Sequence, residues 1–465
     1  MGSTSSLNMK IHCVRLATLV LVCVPFLTAQ RVDDTQLKQV IILGRHGVRS
    51  PSSPNSTLNT YSVLPFPNFG IGQSQLTTHG GTAETILGSY YRLWLTKEGL
   101  LTSHDSADAA FVYFWADGTP LIIDTATAFW LGMLPGATVN VQYLTPSTAS
   151  DPLFDPVGAG VARLNQRMAI EAVKGRLGDN PQLLTSAFAP ELALTRSVLF
   201  NYPVSETPAP ATPDGKTDVT SIPIEITAGN TMEPVNLGGL AKVNEAIDPF
   251  VMEYADGLAP YDVGWGQLTL GGINQISRLL SLALDLEYRT PYLDRVQSSN
   301  LASHVVRSLV QAATGNAMTG ALANPSTKVI VLMASNTNVT GLAGLFRLDW
   351  ILPGYDTDVC ALGGTLVFEL RQSQNTAQYV VRASYRAQTM DQLRNLTGLT
   401  LDAPPPAAPV FIPGCSIRNA TFDCPLADFV RVAAQVIDTR SADLSSELPV
   451  LPPPPPIDDG LMWPW

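Results

Sequence analysis

The segment Val40-Ile41-Ile42-Leu43-Gly44-Arg45-His46-Gly47-Val48-Arg49-Ser50-Pro51 decides how the rest of the chain is read. Four consecutive branched apolar residues predict a strand covered on both faces, because a half-exposed strand would alternate apolar with polar. The strand runs into a loop tightened by glycine and proline, in which Arg45 and Arg49 flank His46. Two planar guanidinium forks and one imidazole converging on a point suit a tetrahedral anion, and phosphate has that geometry. A histidine held in line with phosphorus can attack it and carry the phosphoryl group, which splits hydrolysis into two displacements.

Outward from that loop, Phe111-Val-Tyr-Phe-Trp115 and Lys328-Val-Ile-Val-Leu-Met333 have the same buried-strand character. Between the three lie helical patterns at Thr82 to Leu95, Thr125 to Leu134, Gly272 to Leu286 and Asn300 to Thr314, with apolar residues recurring at three and four. Strands alternating with helices predict an α/β fold, with a mostly parallel central sheet and flanking helices. Ligands of such sheets bind beyond the carboxyl ends of the strands, which is where His46 falls. Between 151 and 258 the pattern loosens around Pro203-Val-Ser-Glu-Thr-Pro-Ala-Pro-Ala-Thr-Pro213, and this stretch is read as an inserted, smaller, mainly helical cap domain. The α/β core is then discontinuous, 30–150 and 259–440, followed by a Pro-rich tail over 441–465 that contains Trp463 and Trp465.

Composition narrows the function. With 45% apolar and 14% charged residues over 465 positions, the chain can bury a large core and is not disordered. A net charge of −11 argues against a nucleic-acid partner and would repel a phosphorylated ligand unless positive charge is concentrated locally. Lys10 and Arg15 precede an apolar stretch from Leu16 to Leu27 and then Thr28-Ala29, which predicts a signal peptide over 1–29, a secreted or periplasmic location, and no membrane segment after cleavage. Cys360, Cys415 and Cys424 remain, and the last two enclose a short loop and could pair in an oxidising compartment. The histidines lack the spacing of a zinc site, so no metal is expected.

The string Arg45-His46-Gly47-x-Arg49-x-Pro51 resembles the signature of the histidine acid phosphatases, a branch of the histidine phosphatase superfamily that includes phytases. The similarity continues through Leu76-Thr-Thr-His-Gly80, Tyr113-Phe-Trp-Ala-Asp117, Glu253-Tyr-Ala-Asp-Gly257, Arg289-Thr-Pro-Tyr292, Leu352-Pro-Gly-Tyr355 and Gly363-Gly-Thr-Leu-Val-Phe-Glu369, and reaches Cys424-Pro-Leu426. The resemblance implies phosphomonoester hydrolysis through a phosphohistidine on His46, with Arg45 and Arg49 on the phosphoryl oxygens and no cofactor. The expected partner is a small phosphomonoester or inorganic phosphate. It also implies a His-Asp pair after the last buried strand, where this chain has Ser335-Asn336, and a third arginine where it has Leu121. Asparagine donates hydrogen bonds but cannot supply the proton that the family's aspartate gives the leaving oxygen. Asp117 is the alternative acid that the same comparison offers, and Glu253 falls in the stretch that lines the family's cleft.

Loss of a general acid costs about 10²- to 10⁴-fold, and loss of a charge-stabilising donor about 10²- to 10³-fold. The sequence therefore predicts a secreted phosphomonoesterase of reduced activity. Its alternative is an inactive relative that binds phosphate or an organic phosphate without turning it over.

Overall fold

The computed structural model describes residues 1–2, 33–145, 150–443, 448–449 and 451. The expected signal segment, apart from residues 1–2, and most of the Pro-rich tail with both of its tryptophans lie outside the described residues. The chain divides into Met1–Asp34 and Thr35–Trp465, and the fold and site belong to the second unit.

Ten strands are present among the described residues: β1 Thr35–Arg45, β2 Val112–Ala116, β3 Val141–Gln142, β4 Thr227–Ala228, β5 Val235–Asn236, β6 Val329–Ala334, β7 Thr365–Ser373, β8 Tyr379–Arg386, β9 Ala407–Val410 and β10 Cys424–Pro425. Eight form one central sheet in the order β10-β8-β7-β1-β6-β2-β3, with β9 also paired to β8. The run β1-β6-β2-β3 is parallel, with Leu43 beside Leu332 and Phe114 beside Val331. From β1 outward on the other side, β7, β8, β9 and β10 are antiparallel. The molecule is thus mixed α/β with helices on both faces of the sheet.

Alternation along β1 and β6 shows why their sequences are continuously apolar. Ile41 and Leu43, with Ile330, Leu332 and Ala334, enter the cluster under the helices Pro291–Thr314 and Asn336–Phe346. Val40 and Ile42, with Val329, Val331 and Met333, enter the opposite cluster under the helices Thr78–Lys97 and Pro120–Met133. Each face has its own hydrophobic partner, so no position is left for a polar residue. A third apolar cluster joins Val48, Leu58 and Phe66 to helices of the 166–255 region and runs on through the helix Leu270–Tyr288. In that layer the helices Gly239–Ala255 and Leu270–Tyr288 form the far wall of the cleft beyond the sheet.

Cys415 and Cys424 are joined by a disulfide, and Cys360 is a buried free thiol. Among the described residues no helix is long and apolar enough to cross a membrane.

Candidate active site

Three loops meet at the carboxyl ends of β1, β6 and β2, and backbone hydrogen bonds lace them together. The His46 amide donates to the Ala334 carbonyl at the end of β6 (3.0 Å), and the Asp117 amide donates to the Met333 carbonyl (3.0 Å). The Gly363 amide donates to the His46 carbonyl (3.1 Å). The nucleophile candidate therefore sits on backbone anchored from both sides. Gly47 follows it because nothing larger fits: a side-chain carbon there would lie 2.8 Å from Glu84 Oε1.

His46 is 6% exposed. Its Nδ1 lies 3.0 Å from the Gly47 carbonyl oxygen, which can only accept, so Nδ1 carries the proton and the Nε2 lone pair is the free one. Burial, then the charges of Arg45 and Arg49, hold the imidazole well below its ordinary 6.5. The neutral, nucleophilic form of the ring is thereby favoured. Both guanidinium groups are close enough to act on the ring, as the sequence requires of an anion cradle.

The two arginines differ. Arg45 is half-buried, donates through Nη1 to the Cys360 carbonyl (2.5 Å), and its Nε has no partner among the described residues. Arg49 makes a two-pronged ion pair with Asp248, Nη1 to Oδ2 at 3.0 Å and Nη2 to Oδ1 at 3.1 Å. Its planar fork is thus held in place, while part of its charge is balanced before any ligand arrives.

These groups open into a cleft of about 210 Å³. Arg45, His46, Arg49 and Asn336 line it together. Asn336 begins the helix Asn336–Phe346, and its Oδ1 accepts from the Ser335 hydroxyl (2.8 Å). Ser335 is the helix N-cap and is not itself part of the cleft lining. Leu121 is packed in the apolar cluster beneath the helix Pro120–Met133, also away from the lining. Asp117, on the loop after β2, is also outside the cleft lining and accepts from the Thr119 amide (3.3 Å). Burial, with Asp151 and Asp155 nearby, raises its carboxyl.

Glu253 does not line the cleft. It is fully buried beneath its helix, accepts from the Gly264 amide (2.9 Å), and burial lifts it to about 8. The helix Gly239–Ala255 instead faces the cleft with Asn244, Asp248, Val251 and Met252. That stripe follows the helical repeat, and Asp248, five residues before Glu253 and so on another face of the helix, is the acid facing the site. Sequence reasoning also missed Glu287, on the stripe Ile273, Ser277, Leu280, Leu284, Glu287 of the helix Leu270–Tyr288. The three-and-four spacing of that stripe was visible, but nothing marked its one acid as different from a surface glutamate.

A buried imidazole with Nδ1 held by backbone and two guanidinium groups beside it, at the carboxyl end of an interior strand, is arranged to meet a tetrahedral anion. Residues 36–182 match the Histidine phosphatase superfamily (branch 2). The chain is 28% identical to the phytase AppA of Escherichia coli over 413 residues, 87% of this chain and 93% of that protein. It is 26% identical to a glucose-1-phosphatase of Salmonella typhimurium over 408 residues, 86% and 92% of the two chains. Hafnia alvei phytase in complex with tartrate superimposes with a TM-score of 0.78 at 27% identity, covering 88% of this chain and 99% of that one. The family match lies in residues 36–182, while the similarity to the phytases and the glucose-1-phosphatase extends over most of the chain. The proteins it is similar to are phytases and a glucose-1-phosphatase.

Proposed function

We propose that the protein is an exported phosphomonoester hydrolase that works through a phosphohistidine on His46 and protonates its leaving group weakly. The observation that carries this reading is the Nδ1 contact to the Gly47 carbonyl, which leaves Nε2 as the free lone pair beside both guanidinium groups. Nε2 forms a bond to phosphorus as the bond to the ester oxygen breaks. Arg45 and Arg49 take up charge on the phosphoryl oxygens. Water then cleaves the phosphorus–nitrogen bond, releasing phosphate and restoring His46. Asn336 can orient the leaving oxygen with its amide but gives it no proton.

This weak acid step sets the substrate order. An aryl oxygen leaves as a stable anion, whereas an alkyl or inositol oxygen needs a proton as it departs. Purified protein assayed from about pH 4 to 7 is expected to hydrolyse an aryl phosphate relatively better than phytate, with both activities lost in His46→Ala by about 10³-fold or more. Equal activity in wild type and His46→Ala would sink the reading. The Arg49–Asp248 pair supports a second reading, in which the pocket binds without turnover. Its mark is phosphate binding that disappears in Arg49→Ala while no ester is hydrolysed.

A further inference from the structure

We propose that Glu287 is the proton donor to the leaving oxygen, acting from the wall of the cleft that holds His46 and Asn336. This rests on the phosphohistidine reading and names the acid that reading lacks.

Three carboxyl groups line the cleft: Asp248, Asp356 and Glu287. Asp248 is bound in two places by Arg49, and Asp356 faces Arg278 at 3.5 Å. An ion-paired carboxylate is a poor proton donor, because its partner favours the charged form. Among the described residues Glu287 has neither a hydrogen bond nor an ion pair. It is half-buried at the last turn of the helix Leu270–Tyr288, where the stripe facing the cleft ends.

The helix that starts at Asn336 packs directly on this last turn. A side-chain carbon on Gly344 would lie 2.9 Å from the Arg289 Cα and 3.0 Å from the Tyr288 carbonyl, so the two backbones touch. That contact is made by the far end of the helix, and Asn336 and Glu287 both line the cleft that holds Arg45 and His46. The groups facing Glu287 reinforce its proton. Glu233 on the neighbouring loop repels its charged form, and the Tyr288 hydroxyl is occupied with the Met232 carbonyl (2.8 Å). Burial first, and Glu233 second, push its carboxyl up to about 8. Across the cleft the neutral form of His46 is favoured and Arg49 is matched by Asp248.

The step balances. His46 Nε2 bonds to phosphorus, the ester P–O pair moves onto the leaving oxygen, and the Glu287 proton goes to that oxygen. In the second half the Glu287 carboxylate takes a proton from the water that attacks phosphorus, and both groups return to their starting state.

The test compares 4-nitrophenyl phosphate, whose leaving group needs no proton, with glucose 1-phosphate, on the full chain. In Glu287→Gln, kcat/KM for the sugar ester is expected to fall about 10²-fold or more while the aryl ester stays within about threefold. The decline of sugar-ester turnover toward pH 8 should vanish as well. Glu287→Asp should keep a limb on that profile at a shifted pH, and circular dichroism establishes that each variant is folded. An unchanged aryl-to-sugar ratio in folded Glu287→Gln overturns the proposal, as does an equal loss on both esters. If Glu287→Gln does not fold, an unshifted limb in Glu287→Asp overturns it. Wild type that turns over the aryl ester alone removes Glu287 but keeps the phosphohistidine. Wild type with no His46-dependent turnover removes both.

Discussion

Behind the nucleophile loop, Glu84 is 1% exposed, and neither of its carboxyl oxygens has a hydrogen-bond partner among the described residues. It reaches Gly47 on one side and Gly363 on the other, so it fills the space under His46. Burial lifts it from 4.5 to about 8, and it is protonated in acid solution. The unfolded chain gives up this proton near 4.5, the folded chain near 8, so the folded state binds the proton more tightly. Its share of stability is complete below about 4.5, declines as pH rises toward 8, and is flat beyond. Glu84→Gln has no such proton to lose. Thermal melts of variant and wild type should nearly coincide at pH 4, and at pH 8 the variant should be the more stable by an amount on the order of a few kcal/mol. Parallel pH dependence in the two proteins would refute this. At this scale the sequence was legible where chemistry is local: Arg45, His46 and Arg49 are close in the chain and close in the cleft. It was illegible where burial decides a residue's character, as with Glu84, one acid within a helical pattern, and Glu253, expected on the cleft wall but buried beneath its helix.

Between residue and molecule, the helices Thr78–Lys97 and Pro120–Met133 carry the sheet face that supports β1. They approach backbone to backbone: a carbon added at Gly132 would run into the Thr85 carbonyl, and one at Gly88 into the Phe129 carbonyl. Gly132→Ala should force the pair apart and cost about 1–3 kcal/mol, read as a lowered urea midpoint with the transition slope unchanged. An unaltered midpoint would mean the contact is softer than its geometry. Strands β1, β2 and β6 were readable because both of their faces are apolar. Pairing of β7 with β8 was hidden, since Glu369 and Arg371 on β7 and Arg386 on β8 interrupt the apolar pattern. In the fold those charges neutralise each other, Glu369 meeting Arg371 and Arg386 at 2.7 Å each. A buried ion network looks like surface when only the sequence is in view. The helix Pro291–Thr314 likewise starts nine residues before the Asn300 of the predicted pattern: its first turns bury Leu293 and Val296, and the buried Ser298 and Ser299 then interrupt the apolar repeat.

For the molecule as a whole, the α/β class followed from the order of strands and helices, and the site from where β1 ends. The cleft's other wall did not, because Asp248 and Glu287 arrive on helices some two hundred residues away, through an apolar layer whose packing no local pattern encodes. The fold thus supplies from afar what the loop around His46 lacks. The most direct measurement of the central claim is rapid acid-free quenching of the protein with an aryl phosphate, followed by peptide mapping of base-stable, acid-labile phosphate. The account predicts phosphate on the peptide that carries His46, and none in His46→Ala. Turnover with no phosphorylated His46, or with the label on another residue, would contradict it.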